Sequence, residues 1–130
     1  MALPNEKSMD FKGLEVECSQ LNVGPRGTVT QITSRTTGVT LNTVSGAITT
    51  DVTALAAEST ADFIVTCNSC SIGTVPNVAV AGGSNGGGTI VSVTGVAAGS
   101  FTIRVHNGNV AAGTAETGAI VINYILVNGL

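Results

Sequence analysis

The sequence has no tryptophan, one tyrosine and three phenylalanines, and only 10% of its 130 residues are charged, against a usual share of about 25%. With so few aromatic rings there is little for a sugar to stack on. The five Lys and Arg residues are scattered and the net charge is −3, which argues against nucleic acid, because neutralising a phosphate backbone takes clustered cations. A surface this poor in charge suits a chain covered by neighbouring subunits, since interface cores are depleted in charge. Three cysteines cannot all pair within one chain, so free thiols are expected.

No apolar run is long enough to cross a bilayer. The best one, residues 118–127, is broken by Asn123 and Tyr124 and falls short of the roughly 20 residues a spanning helix needs. Residues 1–13, MALPNEKSMDFKG, lack an apolar core after a basic start, so no secretory signal is expected and the chain is read as made and used in a cytosol.

What is abundant is Thr, Val, Ile, Gly and Ser. Residues 27–50, GTVTQITSRTTGVTLNTVSGAITT, alternate with a period of two and are punctuated at Gly38 and Gly46, predicting three short strands at 28–33, 38–42 and 47–50. Further strands are expected at 62–68, 77–81, 89–94, 100–106 and 119–127. The strand at 100–106 should turn Phe101, Ile103 and Val105 inward, and the last strand, apolar on both faces, should be central or at an interface. Residues 54–58, ALAAE, suggest one helical turn. GGSNGGG at 82–88 reads as a mobile hairpin loop, and Asn107-Gly108 as a turn signal.

Before residue 27 the pattern changes. Glu6, Lys7, Asp10, Lys12, Glu15, Glu17 and Arg26 hold over half of all charges, interleaved with Leu3, Met9, Phe11, Leu14, Val16 and Leu21. The chain therefore divides into an N-terminal arm, 1–26, with a short strand near 14–18, and an all-β domain, 27–130. Short strands in this number with no convincing helix predict a β-sandwich, jelly-roll-like or Ig-like, carrying an extended arm.

Candidate chemistry is thin. Cys67-Asn-Ser-Cys70 has the spacing of a zinc or redox pair, but the other possible ligands, Cys18 and His106, are far off in sequence, and the pair follows a strand rather than opening a helix. Buried thiols are the simpler reading. His106 has no nucleophile signature near it. GGSNGGGT superficially resembles a phosphate loop but lacks the Gly-Lys-Ser/Thr ending and the helix. Asp51, Glu58, Asp62 and Glu116 read as isolated solvated or capping carboxylates. The chain is accordingly not expected to be an enzyme or to carry a cofactor, a metal or a small-molecule substrate.

Several segments together resemble the small β-sandwich structural proteins of tailed bacteriophages and their prophages. They are Gly27-Thr-Val-Thr-Gln31 with Thr33-Ser34, Thr37-Gly-Val-Thr-Leu-Asn42 with Ser45-Gly-Ala-Ile-Thr49, Ala97-Ala-Gly-Ser-Phe101 with Ile103, Val105 and Asn107, and Glu116 with Ile120-Val-Ile-Asn-Tyr124. The resemblance spans roughly residues 27–127. It implies a virion component on the capsid exterior, made in the host bacterial cytoplasm: a cement or decoration protein, often a homotrimer, bound to the major capsid protein. A head-fibre or tail-fibre module is the alternative it implies. On that reading Phe11, Leu14 and Val16 are the apolar anchors to capsid or neighbouring subunit, and Asp10, Lys12 and Arg26 set the register.

Overall fold

Stiff β-branched side chains favour extended backbone, and a computed structural model, which describes residues 24–110 and 113–128, shows eight strands and no helix among them. In order these are β1 (Arg26–Thr30), β2 (Val39–Thr40), β3 (Ser45–Thr49), β4 (Thr60–Thr66), β5 (Thr74–Gly82), β6 (Thr89–Ala97), β7 (Ser100–Asn107) and β8 (Val121–Asn128). They form two four-stranded sheets, β1-β3-β8-β5 and β2-β4-β7-β6, packed face to face as a β-sandwich.

Period-two alternation decides which side chains fill the space between the sheets. Ile48, Ile122, Tyr124 and Leu126 enter from the first sheet, and Phe63, Val65, Phe101, Ile103 and Val105 from the second. Phe101 meets Tyr124 edge to face across the layer, ring centroids 5.4 Å apart. The expected inward face of 100–106 is present, and β8 is central in its sheet.

Several local expectations are corrected. The three strands expected in 27–50 form, and their pairing divides them: β1 pairs with β3 in parallel, while β2 crosses to the other sheet and pairs with β4 in parallel. The strand expected at 77–81 runs the length of β5, and Pro76 is accommodated because β5 is an edge. Its partner Leu126 sends its N–H the other way, to the Val44 carbonyl at 2.8 Å, so the missing Pro76 N–H faces the free edge. Residues 54–58 make no helical turn: Leu55 and Glu116 exchange two backbone hydrogen bonds of 2.9 Å, and the chain then reverses in a tight turn, Glu58 at φ +57° and the Ser59 N–H donating to the Ala56 carbonyl at 3.2 Å. Asn107-Gly108 is not a hairpin turn. Asn107 is fully buried, its amide donating to the carbonyls of Leu55 and Thr114, and the tight hairpin is at Gly99, φ +80°, between β6 and β7.

The two flanks of the sandwich are built differently. On the β1–β2 side, the inner positions Gly27 of β1 and Gly46 of the neighbouring β3 have no side chain, and Leu41 fills the space. A Cβ on Gly27 would meet Leu41 Cδ1 at 2.5 Å, and one on Gly46 would meet Leu41 Cδ2 at 2.7 Å. Along β5 and β6, both nine-residue strands and both free of charge, the inner positions are Val78, Val80, Val91, Val93 and Val96. Four are half-buried and Val80 is 37% exposed.

Candidate functional site

Of the residues expected to dock on a partner, Asp10, Phe11, Lys12, Leu14 and Val16 lie outside the described residues. Arg26 opens β1 on the outer face of its sheet, where its guanidinium donates to Asn123 Oδ1 at 2.6 Å. The register Arg26–Ser45–Ile125–Asn77 places it at the end of the sandwich where β1 begins and β8 finishes. Residues before 24 therefore join the fold at that end.

Cys67 and Cys70 close a turn there, Cys70 N–H donating to the Cys67 carbonyl at 3.0 Å. Both are buried, and each thiol donates to a carbonyl, Cys67 Sγ to Thr43 at 3.5 Å and Cys70 Sγ to Ser100 at 3.3 Å. His106 is near the opposite end of β7, beside Thr60 and Ile90. Among the described residues no group of three His, Cys, Asp or Glu side chains could hold a metal ion. On the outer face of the second sheet, Thr36, Gly38, Asp62, Phe63, Ile64 and Thr102 line a shallow open depression of about 390 Å³. Its one carboxylate, Asp62, is engaged by Arg104, its cross-strand neighbour, through two hydrogen bonds of 2.8 and 2.7 Å.

The most elaborate arrangement is at the other end, around Glu116, which is fully buried rather than solvated. The GGSNGGG loop, expected to be a mobile hairpin, instead crosses from β5 in one sheet to β6 in the other and wraps this carboxylate. Oε1 accepts the N–H groups of Asn85 at 3.0 Å and Gly118 at 2.9 Å. Oε2 accepts the Gly86 N–H at 3.1 Å and the hydroxyls of Ser84 and Thr89, each at 2.5 Å. Burial pushes the Glu116 carboxyl up, but the hydrogen bonds from Asn85, Ser84, Thr89 and Gly118 outweigh it and hold the pKa at about 2. Donors aimed at the charged form produce such a depression.

Close backbone approach explains the glycines. A Cβ on Gly83, φ +82°, would be 2.0 Å from the Ala119 carbonyl oxygen, and one on Gly118 2.0 Å from that of Gly83. Beside Glu116, Arg35 is only 3% exposed. Its guanidinium donates to the carbonyls of Thr53 at 2.5 Å, Glu116 at 3.2 Å and Gly118 at 2.8 Å, and to Thr50 Oγ1 at 3.0 Å. Chemically this centre is spent. Every oxygen of the carboxylate is occupied, so it has no lone pair in reach of a substrate proton, and Arg35 has its donors directed at main-chain carbonyls and at Thr50 Oγ1.

Neither Arg35 nor Glu116 was picked out as special by the sequence, although a faint signal exists. Glu116 is the one acid after Asp62, and Arg35 is the one charged residue between Arg26 and Asp51. GGSNGGGT, whose likeness to a phosphate loop is only superficial, does present N–H groups to an anion, but that anion is the internal Glu116 carboxylate. Comparisons with protein families, with curated proteins and with solved structures find no match to this chain.

Proposed function

We propose that this protein is a structural component of a bacteriophage virion, a cement or decoration protein that binds the outside of the major capsid protein shell and stabilises it. The observation that carries the reading is how charge is spent on the sandwich. Of the seven charged residues described, Arg35 and Glu116 are buried and Asp62 and Arg104 are paired with each other. That leaves Arg26, Asp51 and Glu58 for the remaining surface, while Ile64, Val75, Ile90 and Val127 stand more than half exposed on the outer faces and edges. Such a surface suits lateral burial against other subunits.

Retention on a capsid would come from multiplicity. A homotrimer engages three sites at once, and effective concentration turns modest contacts into durable binding. Asp10, Phe11, Lys12, Leu14, Val16 and Arg26 are the residues assigned to docking on the capsid protein or a neighbouring copy. The test is a co-sedimentation assay with capsids lacking this protein. The full chain should bind, and deletion of residues 1–24 should abolish binding while circular dichroism still reports a folded β protein. Undiminished binding by the shortened chain would refute the arm's role.

A second reading, a head-fibre or tail-fibre module, has one observation in its favour. Gly24 and Asn128 lie at the same end of the sandwich, which leaves the Glu116 end clear for display. In that case the purified protein should bind host cells or glycans and ignore capsids.

A further inference from the structure

The ladder between β2 and β4 is only two residues long, and Gln31 is the reason. Its buried amide donates to the carbonyls of Arg35 at 3.1 Å and Thr37 at 2.8 Å, which holds back the groups that would extend the pairing along β4. Thr36 and Gly38 therefore face Asp62, Phe63 and Ile64 across the depression of about 390 Å³. Gly38 brings no side chain to fill it. We propose that this hollow receives Ile72 of a second copy of the chain. Three observations select that occupant.

The first is presentation. Ile72 is 85% exposed, more than any other large apolar side chain described, and it stands on a fastened turn. The Thr74 N–H donates to the Ser71 carbonyl at 3.0 Å, the Ser71 N–H to Thr74 Oγ1 at 2.8 Å, and the Thr74 hydroxyl to Asn128 at the end of β8. A turn already fixed costs little further ordering when it docks. Val75 and Val127, cross-strand partners and each more than half exposed, form an apolar collar beside it.

The second is charge. Residues 71–75, 127 and 128 hold no ionisable group, and the one carboxylate of the hollow is already neutralised by Arg104. Burying an unpaired charge is costly, and this contact buries none.

The third is placement. Ile72 leads into β5, on the flank where β5 meets β6, whereas the hollow lies beside β2 on the opposite flank. One copy cannot fill its own hollow. Because knob and hollow are different surfaces, the contact is heterologous: each copy gives to one neighbour and receives from another, and repetition closes a ring or runs on as a filament. A ring of three would be the homotrimer of the virion reading, and the contact rests on that reading only for the number of copies.

Sedimentation velocity on the full chain, without capsids, tests this with two variants. Ile72→Asp removes the knob, and Ile64→Asp sets a carboxylate at the rim of the hollow. Both residues are more than half exposed, so each variant should keep the circular dichroism spectrum and urea midpoint of the parent. The parent should associate as concentration rises, and each variant alone should stay monomeric into the millimolar range. An equimolar mixture should give a one-to-one dimer and nothing larger, since the Ile64→Asp chain still offers a knob and the Ile72→Asp chain still offers a hollow. A parent that stays monomeric, or a mixture that does, would overturn the proposal. So would association that ignores both substitutions, because it would assign the contact to the N-terminal arm or another face. Association as expected with no capsid co-sedimentation would count against the virion reading alone.

Discussion

The two flanks of this sandwich face the same difficulty, the raw ends of two sheets, and meet it in different ways. On the β1–β2 side the edge strands are five and two residues long, Arg26 stands on one of them, and Leu41 lies over Gly27 and Gly46 to close the seam from within. On the β5–β6 side both edges are nine residues long and uncharged, and valines reach the surface. A protein that had to be alone in water would be expected to blunt the second flank as it blunts the first. Here that flank is fastened at one end, where the 83–88 loop bridges the sheets and closes on Glu116, and along its length β5 and β6 come together over half-buried valines. The difference teaches that one flank is closed by short edges and a single leucine, the other by the approach of two long strands.

The largest effect is expected at that fastening. Glu116→Ala would take the acceptor from the N–H groups of Asn85 and Gly86 and the hydroxyls of Ser84 and Thr89, and removing one partner of a buried charged network costs about 3–5 kcal/mol, read as a lowered midpoint in urea unfolding. Acid should undo the same fastening without mutation. The folded pKa of about 2 lies below the ordinary 4.5, so the stabilisation is complete above about pH 4.5 and is lost as pH falls towards 2. At 1.36 kcal/mol per pKa unit this is on the order of 3 kcal/mol, and Glu116→Gln should flatten that part of the stability–pH curve.

On the β1–β2 flank, Leu41→Ala should cost about 2 kcal/mol, at the low end for a large-to-small change because the side chain is only half-buried. A cost near zero would mean that Leu41 does not seal this flank. The smallest effect belongs to the β5–β6 flank: Val80 is 37% exposed, so Val80→Thr should stay within about 0.5 kcal/mol, as surface substitutions do. A clearly larger loss in the full chain would show that the valine is covered there.

Some of this was legible in the residues. Phe101, Ile103 and Val105 alternate with Thr102 and Arg104, which reads directly as a half-buried strand. The run of Ile120, Ile122 and Tyr124 with Val121 and Ile125 between them reads as a central one. Other features were not, because they depend on partners distant in the chain. Glycines at 83, 86, 87 and 88 suggest freedom when read locally, yet Glu116, some thirty residues away, supplies the acceptor that fixes the loop. ALAAE has good local helix propensity, but pairing of Leu55 with Glu116 overrides it, as tertiary contacts commonly override propensity.

What the sequence by itself determined is the class of structure: β-branched, period-two segments with almost no charge can bury enough surface only as stacked sheets. Tertiary structure alone decided that β2 crosses between sheets while β1 and β3 pair in parallel. It also brought Arg35 and Glu116 together at one end, and closed the two flanks by different means. The reason is range. Alternation is set by each residue and its neighbours, whereas strand order and the burial of a lone charge depend on which distant segments come together in space.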